Sequence, residues 1–215
     1  MSPPIRDLAV VCFAVKEEAA PFQKIAAASS KVSILITGMG RANAENALRI
    51  HLAAHSPTMI FTCGFAGGLD PALQTGDVFF ETGDPGCREQ LTRAGARPAK
   101  FFCAGRIATT VAEKKKLREQ TGADAVEMES AAIHAVAREQ GIPCATVRAI
   151  SDTANEDLPL DFNALLKADK NLDLGRLALA VAKSPGKIPA LLDLQKKTRL
   201  AAQRLADVLQ QVFVQ

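Results

Sequence analysis

Five short apolar runs limit the fold more than any other feature of this chain: LAVVCFAV (8–15), VSILITG (32–38), MIFTCGFAG (59–67), DVFFET (77–82) and CATVRAIS (144–151). They are mostly continuous rather than alternating with polar residues, as strands are when both of their faces are covered. Helical patterns fall between and beside them at 16–28, 41–54, 111–121 and 129–140, the last stopping at Gly141 with Pro143 close behind. Strands interleaved with helices predict an α/β fold. The first run is too short to span a bilayer. An arginine precedes it, as in a signal peptide, but KEEAAP follows where a cleavage site would stand, so a buried strand is the reading.

A length of 215 residues suits one sizeable domain covering 1–215, and the final third, from about 156, changes to helical patterns at roughly 163–183 and 188–213. Apolar residues at 48% and charged residues at 23% are ordinary for a globular protein. Trp and Tyr are absent and the net charge is only +3, which argues against nucleic acid as a partner. Five scattered cysteines without a C-x-x-C pair predict reduced thiols and a cytoplasmic protein. His51 and His55 stand four apart on a predicted helix, but with only three histidines and no H-E-x-x-H they predict a solvated face and no metal site.

Acidic residues gather where predicted strands end. Glu17 and Glu18 follow the first strand, Glu127 and Glu129 flank Met128 in AVEMES, and Asp152 closes VRAISD. Ligands of open α/β sheets collect at such strand ends. Two glycine-rich turns, TGMGRANA (37–44) and CGFAGGLD (63–70), allow a ligand close to the backbone, although neither completes G-x-G-x-x-G. For any one of these acids, a helix cap or a surface ion pair is the plainer alternative.

Taken in order, AVKEEAAPF, TGMGRANA, CGFAGGLDPALQTGDV and GADAVEMESAAIHAVAREQGIPCATVRAISDTA resemble the nucleoside phosphorylase and nucleosidase superfamily. Within it they resemble the methylthioadenosine/S-adenosylhomocysteine nucleosidases. The resemblance implies a three-layer α/β fold around a mixed, strongly bent sheet, a small nucleoside as substrate, no cofactor, and a homodimer. It also implies roles. Asp152 protonates the purine at N7, with Ser151 orienting it; Glu129 grips the ribose hydroxyls; Glu18 activates water. Met128 packs on the sugar or base, and the backbone of Ala66 and Gly67 lies against the nucleoside. Glu127 is either a contact or a helix-start residue.

The match has departures. Phe65 replaces the small hydroxyl residue usual beside the nucleoside, the stretch between TGDV and VEME is short, and ATTVAEK (108–114) stands for the base-contacting segment. The implied substrate is a 5′-modified adenosine such as methylthioadenosine, S-adenosylhomocysteine or adenosylhopane, the last because the tail resembles the hopanoid-associated branch. Carboxylates where the nucleophile arrives favour hydrolysis. A phosphate-dependent phosphorylase, with Arg41 as the anion contact, and a non-catalytic nucleoside sensor are the alternatives. Gly83–Pro85 imitates a phosphate loop but follows the wrong strand and is read as a turn. The helix at 188–213 carries Lys196, Lys197, Arg199 and Arg204, and is either packed on the domain or laid on an anionic membrane surface.

Overall fold

The computed structural model describes residues 9–27, 31–167 and 173–214. Leu8, the end of the helix expected to reach residue 28, and 168–172 within the helical pattern at 163–183 lie outside the described residues. The first half of the chain builds β1 (Ala9–Phe13), α1 (Lys16–Ala26), β2 (Val32–Ile36), α2 (Arg41–Leu52), β3 (Met59–Gly68) and β4 (Val78–Thr82). There follow α3 (Pro85–Arg93), β5 (Arg97–Pro98), β6 (Phe101–Cys103), α4 (Val111–Thr121), β7 (Ala125–Glu127), α5 (Ser130–Glu139) and β8 (Cys144–Asp152). Three helices close the chain, α6 (Phe162–Leu165), α7 (Leu174–Lys183) and α8 (Ile188–Phe213).

The architecture is mixed α/β with three layers. Successive side chains of a strand point to opposite faces, and β1 uses this fully. Ala9, Val11 and Phe13 join a core with Phe22 of α1 and Leu205 and Leu209 of α8. Val10 and Cys12 join Leu48 of α2 and Ile133 and Val136 of α5 on the other side. Both faces are covered, which is why the run has no polar alternation.

The main sheet runs β2-β1-β3-β8-β4-β5. β1 is parallel to β2 and β3, and β3 is parallel to β8, whereas β4 is antiparallel to β8. The long β3 does two jobs. Its first half pairs with β1, and its end, Gly67 and Gly68, pairs antiparallel with β7, which also carries β6. The register of β3 against β8 shifts between Ala66 and Gly67. Such an irregularity bends a strand and re-aims its side chains. Here the bend falls where the strand ends meet.

Two expectations need correction. The turn read at Gly83–Pro85 is the start of α3: Asp84 accepts the Cys87 N–H at 2.7 Å and Pro85 occupies the first turn, where its missing N–H costs nothing. The single helix expected at 163–183 is two helices, because α6 ends at Leu165 and Asp173 caps a new start at Leu174 by accepting the Arg176 N–H at 3.1 Å. α8 packs on the core through its second half. Ala201, Ala202, Leu205, Ala206, Val208 and Leu209 are buried, while Ile188, Leu192 and Leu200 in its first half stay exposed. Among the described residues no helix is long and apolar enough to cross a membrane.

Candidate active site

A cleft of about 220 Å³ opens where β1, β3, β7 and β8 end. Glu18, Phe65, Ala66, Gly67, Glu127, Met128, Glu129, Ser151 and Asp152 all line it. The sequence places these residues on separate segments, and the sheet brings them to one hollow. Arg41 is not among the lining residues. It opens α2, and its guanidinium donates to the Cys103 carbonyl. His51 and His55 stack their rings at 4.1 Å, and among the described residues no group of His, Cys, Asp and Glu is placed to hold a metal ion.

Glu18 is in the first turn of α1, and its carboxylate accepts three backbone N–H groups: Ala14 at 3.0 Å, Val15 at 3.2 Å and Phe65 at 2.8 Å. Burial pushes its carboxyl up to about 7, with nearby Glu129 adding to the rise and Arg148 opposing it. A carboxyl poised there is suited to take a proton near neutral pH. Gly64 makes the approach possible. It adopts a φ of +147°, and a Cβ there would lie 2.6 Å from Glu18 Oε1 and 2.7 Å from Arg148 Nη1.

Arg148 is the residue that sequence reasoning missed. It lies in the middle of β8, 1% exposed, and donates to Glu127 Oε2 at 2.6 Å, to Thr62 Oγ1 at 3.0 Å and to the Cys63 carbonyl at 3.2 Å. Its Nη2 also stands 3.5 Å from Glu129 Oε2. A buried charge is tolerated only with partners, and three acids supply them electrostatically, Glu127, Glu129 and Glu18. Its one visible signal was a basic residue inside CATVRAIS, an otherwise apolar run.

The two glutamates of AVEMES have different surroundings. The Glu127 carboxylate accepts the N–H of Glu129 at 2.9 Å and of Ser130 at 2.7 Å, and the Ser130 hydroxyl at 2.5 Å. Burial works against its charge, but Arg148 and the Ser130 donors outweigh it and hold this carboxyl below its ordinary range. It therefore caps the start of α5 while lining the cleft. Glu129 accepts the Gly40 N–H at 2.8 Å. Burial raises its carboxyl, with Glu127 adding to the effect and Arg148 only partly relieving it.

Across the cleft, Asp152 accepts the Ser151 hydroxyl at 2.7 Å on Oδ1 and the Lys114 ammonium at 2.6 Å on Oδ2. Oδ2 lies over Gly67, where a Cβ would come within 3.1 Å. The segment expected to stand for the base-contacting stretch contributes in an unexpected way. Ala108 lines the cleft beside Arg106 and Ile107, Thr110 caps α4, and Lys114 reaches Asp152 from that helix.

A family profile described as Phosphorylase superfamily matches residues 7–82 and 96–184. The 5′-methylthioadenosine/S-adenosylhomocysteine nucleosidase of Shewanella halifaxensis is 27% identical over 188 residues, covering 71% of this chain and 82% of that protein. Among solved structures, a Helicobacter pylori 5′-methylthioadenosine/S-adenosylhomocysteine nucleosidase with butyl-thio-DADMe-Immucillin-A superposes with a TM-score of 0.71 at 14% identity, covering 98% of each chain. The futalosine hydrolase of Helicobacter pylori strain 26695 gives a TM-score of 0.70 at 14% identity, covering 97% of each. These structures are alike in fold. The profile match takes in most of the chain, from the first strand through the strand ends that form the cleft, and on that ground the chain belongs to the phosphorylase superfamily.

Proposed function

We propose that this chain is a purine nucleosidase, cleaving the N-glycosidic bond of a 5′-modified adenosine by hydrolysis. One observation carries the reading: Glu18, Glu129 and Asp152 converge on a single cleft, and the Glu18 carboxyl is pushed up to about 7. Breaking the bond leaves positive charge on the ribose and negative charge on the base. A catalyst must therefore supply a proton at the base and negative charge at the sugar. Asp152 passes a proton to purine N7. Glu129 accepts the ribose hydroxyls. Glu18 takes a proton from the attacking water, whose oxygen bonds to C1′. Met128 packs on the sugar or base, and Met39 and Phe65, which also line the cleft, offer apolar surface to the 5′ substituent.

Hydrolysis is favoured over phosphorolysis by charge. The one buried guanidinium at the site, Arg148, is engaged by carboxylates and by Thr62 and Cys63, and Arg41 donates to the Cys103 carbonyl. Arg106, at the cleft's edge, pairs with Glu113, and the acids at the centre, Glu18, Glu129 and Asp152, repel phosphate and accept a water proton. The matched proteins carry the names nucleosidase and hydrolase, in agreement with this. The test is release of adenine from methylthioadenosine in phosphate-free buffer. Free 5-methylthioribose is the expected product. Strict dependence on added phosphate, with a sugar 1-phosphate formed, would reverse the choice.

A further inference from the structure

Lys114 is 0% exposed, although it begins a run of three lysines on an otherwise polar helix. Its ammonium has three partners: Asp152 Oδ2 at 2.6 Å, the Thr153 carbonyl at 2.7 Å and the Glu156 carbonyl at 2.9 Å. An ammonium has three protons to donate, so none is left over. Glu156 is itself held, since its carboxylate accepts the Thr153 N–H at 2.7 Å and pairs with Lys197 of α8. The turn that follows β8 is thus clasped between α4 and α8.

The consequence lies at Asp152. With the Ser151 hydroxyl on one oxygen and an ammonium on the other, this side chain rests as an acceptor facing the cleft. A departing purine takes up a proton through this side chain, and the donor in contact with its Oδ2 is the Lys114 ammonium.

We propose that Lys114 is the positioning residue of leaving-group departure, fixing the Asp152 carboxylate toward the cleft and supplying through it the proton that the base takes up. This rests on the reading of Asp152 given above. In the step, the C1′–N9 pair goes to the purine, and one proton passes from Nζ to the Asp152 carboxylate and on from that carboxyl to N7. Water bonds to C1′ and leaves its proton on Glu18. Lys114 ends as a neutral amine with no contact to solvent, so it regains its proton through Asp152, which faces the cleft, and Glu18 gives up the one it took.

The test compares two substrates, methylthioadenosine and 4-nitrophenyl β-D-riboside, whose phenolate leaves without a proton. Lys114→Met should lower kcat for methylthioadenosine by about 10²-fold or more, with KM little changed, and leave the aryl riboside within a few-fold of wild type. The double variant K114M/D152N should be no slower on methylthioadenosine than D152N alone, since Lys114 acts only through Asp152. Because it removes both buried charges, it also keeps the test open if K114M folds poorly. Lys114→Arg keeps a charge that does not deprotonate, so it should recover thermal stability lost in K114M without recovering methylthioadenosine turnover. Equal losses on both substrates, or multiplicative losses in the double variant, would overturn the proposal. If D152N is substrate-selective while K114M is not, Lys114 alone is misassigned. If D152N cleaves methylthioadenosine at the wild-type rate, it is the reading of Asp152 that fails.

Discussion

Glu18 carries a conflict between folding and chemistry that can be measured. Three N–H donors favour its carboxylate, yet burial outweighs them and lifts the carboxyl from 4.5 to about 7. The folded state therefore holds this proton more tightly than the unfolded chain does. Its contribution to stability is full below about 4.5 and is lost as pH rises through about 7. Glu18→Gln removes that dependence. Measured by urea unfolding between pH 5 and 8, the variant should gain on wild type as pH rises, by up to about 3 kcal/mol. A flat difference would mean the carboxyl is not shifted. The same group should shape catalysis in the opposite sense, because a base must be ionised. For wild type, kcat/KM for methylthioadenosine should climb with pH to a plateau above about 7, and a limb centred near the ordinary carboxylate range would argue against Glu18 as the base.

Among elements, α8 separates two readings of an amphipathic helix. Its second half buries Leu205 at 0% exposure beside α1 and the core face of β8, whereas Leu192 in the first half is 54% exposed. Leucine-to-alanine changes in a packed core cost about 2–5 kcal/mol, and surface changes about 0.5 kcal/mol or less. Leu205→Ala should therefore lower urea-measured stability by about 3 kcal/mol, and Leu192→Ala should leave it nearly unchanged. Equal small effects would mean that the helix does not support the domain. The helix also reaches the site indirectly, since Lys197 pairs with Glu156 and Asp193, and Glu156 supports the turn that carries Lys114's acceptors.

For the molecule as a whole, the bend in β3 makes the cleft. Because its end turns to pair with β7, the glutamates of AVEMES face Asp152 from another strand. The apolar side chains left around that hollow predict tolerance of an apolar 5′ group. The expected result is that kcat/KM is higher for adenosines with 5′-alkylthio chains than for adenosine itself. Anionic vesicles should not change it, because the apolar face of the second half of α8 is spent on the core and Lys197 is ion-paired. A rate that needs vesicles would restore the membrane reading of that helix.

The sequence alone determined what depends on near neighbours. A strand covered on both faces is mostly apolar, so β1, β3 and β8 were legible as continuous runs, and AVKEE placed Glu18 in a first helical turn without further information. The motif residues of AVEMES and VRAISD could likewise be singled out as candidates. What needed the tertiary structure was everything decided by distant partners. β5, β6 and β7 hold two or three residues each, too few to display a period, and exist only through their pairing. Arg148 read as an oddity in a strand until Glu18, Glu127 and Glu129 were folded around it. In the run Lys114, Lys115 and Lys116 the residue type is the same at each position, and only the packing of α4 against the end of β8 buries the first and leaves the other two in solvent. Burial of charge depends on which partners the fold brings within bonding distance, and that information is not local to the chain.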